Sequence, residues 1–464
     1  MFMFLVCFGY QWGVTRSSHF NENLLSTGQR NGPWQCELLE PPVVKKKVVQ
    51  CMVFVWPVQP LGWNGGKVKL VFWKDSVSLS LKAGDRVFVR APLKAIVNNE
   101  TGTFDYQGYM WRRNVSLECF APKGQWEFCG HSDSWYVSCI EVQVALKHAI
   151  LKRWRSAGLD SATVSLAAAL VLGDKSMLGP ATREAFSGSG VIHVLAVSGL
   201  HVGIIFLAIN TLLSWIPKRI IGRWVSFAVI VISLWAFAWV SGFSPSVCRS
   251  AAMFTMFSLG VKISRKSPPF NTLAACAFLM LLWNPMWIAE PGFQLSFLAV
   301  GGILAWHGML YRLWNSLSHW MDKLWSLTCV SLSAQLATFP LVLYYFGVFP
   351  RYFLFANLWV IPVVMCLVYL FLLLSVLGSV PMLGSLLVVC GNGLTHLLVN
   401  GTTVVSGLPL AIWTCQTDIW ETSALYISII LLSGYLMQPV INKAFAGLGI
   451  LLLLMIYHII RYMI

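Results

Sequence analysis

The sequence predicts a polytopic, all-α membrane bundle of about 8–10 spanning or half-spanning helices, preceded by a small extracytoplasmic β-barrel domain. Three observations predict it. Only 11% of the 464 residues are charged and 57% are hydrophobic, where a soluble domain carries about 25% charge. Mean hydropathy is +0.68, so the solvent for most of the chain is bilayer hydrocarbon. Short β-branched and aromatic runs fill a polar N-terminal third, and long apolar stretches fill the rest.

Taken in order, Met1 to Tyr10 is apolar but too short to span, and it lacks the basic start of a signal peptide. It is expected to be the end of a membrane helix whose natural start lies upstream, with residues 1–30 forming this apolar start and a linker. Residues 31–132 read as β structure. Val48–Val58 is β-branched and aromatic, Lys67–Trp73 alternates polar and apolar, and Val77–Leu81 alternates again. Ala83-Gly84-Asp85 makes a turn before Arg86–Arg90, and further turn signals fall at Gly62, Asn64-Gly65-Gly66 and Asn98-Asn99. Short strands at this spacing indicate a small barrel or sandwich.

Residues 133–185 are expected to hold amphipathic and connecting helices. Ile140, Val144, Ala149, Ile150 and Trp154 recur at helical spacing, with Lys147, Lys152, Arg153 and Arg155 among them. That pattern suits a basic helix on a membrane surface. Residues 186–464 form the spanning domain, with spans near 190–216, 224–242, 246–261, 270–284, 292–310, 325–346, 353–378, 383–405, 423–437 and 444–460.

Charge supplies the topology. The net charge is +15, of which +8 falls in residues 1–155 (19 basic, 11 acidic) and +7 in the remainder. Lys218, Arg219 and Arg223 follow the first span, Lys262, Arg265 and Lys266 the third, and Arg312 and Lys323 the fifth. Every second loop is basic, and basic loops are cytoplasmic. The first span therefore enters from outside, which leaves the β domain outside the cytoplasm. The basic excess suits either a polyanionic ligand or plain membrane orientation.

Several function classes lose support at once. The 12 cysteines form no CxxC pair, which removes zinc-ribbon and thioredoxin-like readings. In an oxidising compartment, Cys119–Cys129 or Cys129–Cys139 would be open as disulfides. Gly173-Asp174-Lys175-Ser176 lacks the first glycine and the spacing of a P-loop. No HxH, HExxH or GxSxG occurs, and a Ser198–His201 dyad has no acid beside it in sequence. No enzymatic activity, metal or cofactor is expected.

The densest polar cluster among the apolar segments runs from Gly190 to Gly203. It holds His193, Ser198, Gly199 and His201. Polar groups within a bilayer mark a cavity, relay or ion path, and Ser198-Gly199 is a natural helix break. Close helix packing through small residues is the competing explanation. Asp174 sits in a turn that either places charge at a pore mouth or is simply solvated. Arg249, near the start of a span, either snorkels outward or faces a polar cavity, where a guanidinium would hold phosphate. Gln294 and Ser296 open the fifth span, and Gln335 and Asn357 lie near Pro340 and Pro362 in the next two.

These segments together resemble the ComEC competence-protein family. His193-Val-Leu-Ala-Val-Ser-Gly-Leu-His201 is similar to its HLLAISGLH signature, and Leu172-Gly-Asp174-Lys to its GD(R/K) turn. Ser246–Met253 resembles its arginine segment, and Pro291-Gly-Phe-Gln-Leu-Ser-Phe297 its PGFQLSF stretch. Ser333–Pro340 through Asn357–Pro362 resembles the later helices. Gly84-Asp85-Arg86 and Asn99-x-x-Gly102-x-Phe104-Asp105-Tyr106-x-x-Tyr109 resemble its OB-like N-terminal domain.

The resemblance implies a channel in the bacterial inner membrane that passes one DNA strand during natural transformation. Its path would run by Asp174, His193, Ser198, Gly199, His201, Arg249, Gln294, Ser296, Gln335 and Asn357. In the OB-like domain, Lys82, Arg86, Arg90, Lys94, Arg112 and Arg113 would meet phosphates, while Trp73, Phe104, Tyr106 and Trp111 would stack on bases. Implied partners are single-stranded DNA, the lipid bilayer, a cytoplasmic helicase, extracytoplasmic DNA-receptor proteins and further copies of the chain. The metallo-β-lactamase-like domain of many members has no HxHxDH counterpart here, so a short form is expected. The rival reading is a transporter of small anions or lipid precursors with a β-barrel cap.

Overall fold

Alternating strands give alternating burial. In β3 (Val48–Pro57), Val49, Cys51, Val53 and Val55 turn inward while Val48, Gln50, Met52 and Phe54 face out. The computed structural model describes residues 32–58, 65–98, 105–195, 197–215, 220–263, 268–314, 318–378, 380–438 and 440–463. The other strands are β1 (Trp34–Leu38), β2 (Val43–Val44), β4 (Gly66–Trp73), β5 (Asp85–Val89), β6 (Leu93–Ala95), β7 (Leu117–Ala121) and β8 (Trp126–His131). They form one sheet in the order β6-β7-β4-β3-β1-β5-β8, with β2 on β3. All pairs are antiparallel except β4 with β7. Inward residues from β1 and from β3 to β7 meet in a single core that includes Trp34, Leu70, Phe72, Val87 and Leu93, with Trp126 of β8 packed against it. A sheet whose far strands share one core must be strongly curled. The apolar start expected over residues 1–30 lies outside the described residues.

Two segments depart from the β expectation, and both do so through capping. Val77–Leu81 alternates like a strand, yet Ser76–Ser80 is a short helix, α1. The Asp75 carboxylate accepts from the Ser78 N–H at 2.7 Å, and the Asp75 N–H donates to Ser78 Oγ at 3.0 Å. This reciprocal pair satisfies the first helical turn and outweighs a period of two over five residues. Tyr106–Trp111 is likewise a helix, α2, capped by Asp105, which accepts from Gly108 N and Asn98 Nδ2, both at 2.9 Å. Asn98 and Gly108 hold the Asp105 carboxyl below the usual range. A lowered folded pKa adds stability above the unfolded value of about 3.9 and loses it as pH falls through the folded one. Asp105→Ala is therefore expected to speed amide exchange over 105–112 several-fold at neutral pH. After correction for intrinsic rates, the wild-type advantage should vanish in acid.

All described cysteines carry free thiols, so neither disulfide weighed from the sequence is present among them. Cys119 is buried in the core while Cys129 is exposed, and their strands β7 and β8 are not neighbours in the sheet. Burial pushes the Cys51 and Cys119 thiols up to about 12. They are inert core fillers.

The chain divides into two compact units, Met1–His148 with Phe278–Glu290 and Ala149–Ala277 with Pro291–Ile464. Helix α3 (Trp135–Ala157) begins in the first and ends in the second. Within the second unit its end docks firmly. Trp154 is fully buried, its Nε1 donates to Ser375 Oγ at 3.0 Å, and Arg153 donates to the Val376 carbonyl at 2.9 Å.

Helices fill the rest of the chain: α4 (Ser161–Ala167, extended by a π turn to Leu172), α5 (Pro180–Gly188), α6 (Ile192–Leu195), α7 (Gly199–Leu212), α8 (Ile220–Val240), α9 (Pro245–Ile263), α10 (Pro269–Trp283), α11 (Pro291–Tyr311), α12 (His319–Phe346), α13 (Phe353–Leu377), α14 (Pro381–Ser406), α15 (Ile419–Met437) and α16 (Ile441–Met463). Each of the ten expected spans coincides with helix, the first being split into α6 and α7. Among the described residues, five helices are long and apolar enough to cross a bilayer: Pro291–Tyr311, His319–Phe346, Phe353–Leu377, Met382–Ser406 and Ile419–Leu436. Their outward faces are apolar, as a lipid solvent requires. A two-stranded ladder of β9 (Val348–Pro350) and β10 (Ile412–Thr414) was not foreseen; runs of three residues carry too little periodicity to read.

Candidate functional site

The polar cluster of the sequence forms around the break between α6 and α7. Gly190, at φ +83°, turns the chain into α6, and a Cβ there would stand 2.7 Å from Pro350. Only glycine meets both demands. Ser198 is extended (φ −122°, ψ 176°) and starts α7. Its N–H donates to His201 Nδ1 at 3.2 Å, and its Oγ lies 3.2 Å from the same nitrogen. His201 thus caps the broken helix from the third helical position, the place where a capping box puts Glu or Gln.

That bond decides the tautomer. Nδ1 accepts, so in the neutral imidazole the hydrogen sits on Nε2. His201 is 0% exposed, and its Nε2 has no hydrogen-bond partner among the described residues. A buried donor without a partner costs about 1–3 kcal/mol, so this one is held in place by its surroundings. Tyr369 of α13 fixes α7 from one side by donating to the Ile204 carbonyl at 3.0 Å.

Arg249 belongs to the same seam. It is buried on α9, and its neighbour Ser250 faces Gly199, where a Cβ would stand 2.9 Å from Ser250 Oγ. Arg249 Nε donates to Ser296 Oγ at 3.3 Å, and Ser296 Oγ donates to the Gly292 carbonyl at 2.8 Å. Gly292 lets the guanidinium in, since a Cβ there would lie 2.9 Å from Nη2. The next contact carries the seam to α12, where Tyr345 Oη donates to Gln294 Oε1 at 2.9 Å. Further along, Gly302 packs on Ala337 and the Ser333 carbonyl.

The helices α7, α9, α11 and α12 are therefore joined by one run of small and polar residues. Its donors share a sign. A guanidinium, an imidazole N–H and the N-terminus of α7 all favour an anion. Thr255 and Ser258 on α9, Ser333 on α12 and Asn357 Oδ1 on α13 are also buried polar atoms without a hydrogen bond among the described residues.

Asp174 is half-buried, and its carboxylate accepts from Ser176 N (2.9 Å) and Oγ (2.6 Å), closing a local turn. His193 lies on α6, close enough to His201 for the two imidazoles to interact. Gln335 is half-buried on α12. Sequence reasoning missed Ser250, Gly292, Ser333 and Tyr345. Gly292 and Ser296 are four apart and share a helix face, a signal that was available.

The basic and aromatic residues of the sheet domain divide into two groups. Lys94, Glu118 and Lys69 are cross-strand neighbours on the outer face. Lys69 bonds Glu118 at 3.0 Å and stands 5.1 Å above the Tyr106 ring. Burial pulls the Lys69 ammonium down, but Glu118 and Tyr106 more than offset this and raise its pKa. Tyr106 and Tyr109 rings lie 6.3 Å apart, and Arg113 covers Tyr109 at 4.4 Å. Arg112 Nε is buried without a partner among the described residues. Lys94, Tyr106, Arg112 and Arg113 thus gather at one side of the sheet, near half-buried Trp111.

Arg86 lies in β5 and Arg90 just after it. Arg86 pairs with Glu37 at 3.0 Å and Arg90 with Glu127 at 3.2 Å, which offsets the positive charge of each. Lys82 is exposed just before them. Phe104 lies outside the described residues.

No solved structure matches the chain. Among curated proteins it is similar to ComE operon protein 3 of Bacillus subtilis, 27% identical over 262 residues, covering 56% of this chain and 31% of that protein. It is similar to competence protein ComA of Neisseria gonorrhoeae, 30% identical over 177 residues (35% of this chain, 25% of that protein). It also matches recombination protein 2 of Haemophilus influenzae, 27% identical over 146 residues (30% and 18%). The matched part spans less than a third of the length of each of these relatives. The Competence protein family matches residues 170–439, which hold the broken helix, Arg249 and the α11–α12 pair. That match covers more than half of the 464 residues, and the chain belongs to the Competence protein family.

Proposed function

We propose that this chain is a DNA-uptake channel that passes single-stranded DNA across the bacterial inner membrane during natural transformation. One observation carries the reading: a buried arginine on the helix that packs, through Ser250, against the N-terminus of a broken membrane helix whose capping histidine keeps a buried N–H donor. Buried cations and donors are costly within a bilayer, and an anion passing by the seam is what they would serve. The similar proteins named for competence and for recombination support DNA as the anion.

The described conformation is closed at this point, because Gly199 rests on Ser250 and Gly292 on Arg249. Passage would require α7 and α11 to move away from α9. The positive-inside pattern, with Lys262 near the end of α9 and Arg312 and Lys323 at the α11–α12 turn, supports an extracytoplasmic sheet domain. There the Lys94, Tyr106 and Arg113 group would receive the strand, with phosphates on the cations and bases on the rings. A cytoplasmic helicase and extracytoplasmic DNA receptors are the proposed partners.

The test is uptake of labelled DNA by cells in which this chain is the sole source of the function, scoring cytoplasmic DNA separately from DNA held outside. Cytoplasmic DNA that depends on the chain supports the reading. Normal cytoplasmic DNA without it, together with small-anion flux through the reconstituted protein, would replace it by the solute-transporter reading.

A further inference from the structure

One end of the sheet domain carries a patch that neither its core nor the proposed strand-binding group explains. The turn between β2 and β3 holds Lys45, Lys46 and Lys47, all exposed. Backbone bonds fix this turn to its neighbours: Lys45 N donates to the Val48 carbonyl at 2.8 Å and Lys74 N to the Lys47 carbonyl at 3.1 Å. Ser78 Oγ donates to the Trp73 carbonyl at 2.9 Å, which ties α1 to the same corner. Trp73 meets Phe120 edge-on at 5.4 Å, which places Lys123 beyond β7 at this end as well. Lys123 is near enough to Asp75 to help lower its carboxyl pKa, after the Ser78 bonds.

The composition is unusual for an exposed corner. Among the described residues, five lysines face one acid, Asp75, whose carboxylate is already engaged by Ser78. Between them stand apolar side chains open to solvent: Val43 is 60% exposed, Val44 50%, Val77 51% and Leu79 48%. Trp73 and Phe120 are exposed beside them. Aliphatic groups gain nothing from phosphates or base edges, and the patch has no arginine fork to read either. Valine, leucine and tryptophan ringed by lysine is the composition of a surface that seats in a lipid headgroup layer, apolar tips toward the acyl boundary and ammonium groups on anionic phosphates. A bilayer is within reach of this domain, because the same chain spans one.

We infer that the corner formed by the β2–β3 turn, α1 and the ends of β4 and β7 is a membrane-docking surface for anionic phospholipid headgroups. It lies apart from the Lys94, Tyr106 and Arg113 group. Lys69 and Trp73 mark the two places along β4, four residues or roughly 13 Å apart. Docking would hold the domain against the leaflet while the other group stays open.

The test is hydrogen–deuterium exchange of the full chain in nanodiscs of phosphatidylcholine alone or mixed with equal phosphatidylglycerol. Exchange over residues 43–48 and 73–80 should slow several-fold in the anionic discs, without DNA. The triple variant K45E/K46E/K47E should lose the slowing, and V77S/L79S should lose most of it. Unchanged exchange over β1 in both variants shows that the domain still folds. Equal exchange in the two lipids would overturn the inference. Slowing that appears only when an oligodeoxynucleotide is added would overturn it too, and would make the corner part of a nucleic-acid surface.

Discussion

Arg249→Ala is expected to cut labelled DNA reaching the cytoplasm by on the order of 100-fold while leaving surface-held DNA unchanged. A hydrogen bond to a charged group is worth about 1.5–3 kcal/mol, and each 1.4 kcal/mol is tenfold. The guanidinium is buried, lies against Gly292 and donates to Ser296, so its removal also strips the seam of its strongest donor. Arg249→Lys should recover part of the loss, because the charge remains while the planar fork does not. Gly292→Leu should resemble Arg249→Ala, since a side chain there occupies the space of Nη2. His201→Ala removes both the Ser198 cap and the buried Nε2 donor. It should lower cytoplasmic DNA about tenfold, with the helix-end cap alone worth about 1 kcal/mol. Unchanged uptake in both Arg249→Ala and His201→Ala would reduce these residues to helix packing.

Gly302→Leu is expected to destabilise the membrane unit outright. A Cβ at Gly302 would stand 2.5 Å from the Ala337 Cβ and 2.7 Å from the Ser333 carbonyl oxygen, and neither atom belongs to a flexible side chain. Small residues at such a crossing let two membrane helices approach closely, and inserted bulk forces them apart. The cost is on the order of 3 kcal/mol, read as a lower melting temperature in detergent and a shorter half-life in the membrane. Gly308→Leu, six residues along the same helix, meets nothing within 4 Å and should leave both unchanged. Equal melting of the two variants would mean that α11 and α12 are not held at this crossing.

Much of this architecture is legible in sequence, because the bilayer enforces it. Each of ten apolar stretches became helix, since no other backbone arrangement satisfies its own polar groups in hydrocarbon. The break at Ser198-Gly199 was legible for a related reason: an extended serine before a glycine, with a polar side chain three residues on, is a helix start written into an apolar run. The misreading at Val77–Leu81 shows the limit of periodicity. There the reciprocal Asp75–Ser78 bonds decided the local structure, over too short a span for a hydrophobic pattern to compete.

The sequence by itself therefore determined the solvent of each segment, the helices that follow from it, the strands of the polar third and the polar identities of Arg249, Ser198 and His201. Those outcomes depend on local chemistry and on the dielectric that each stretch must enter. Tertiary structure alone decided which groups meet. It spent Asp174 on its own turn and paired Arg86 with Glu37, while bringing Ser250 to Gly199 and Arg249 to Gly292. It also gathered lysines 45–47, Lys74 and Lys123 at one corner from three separate segments. Such meetings depend on strand register and on helix crossings between residues tens of positions apart, and one-dimensional spacing carries no information about them.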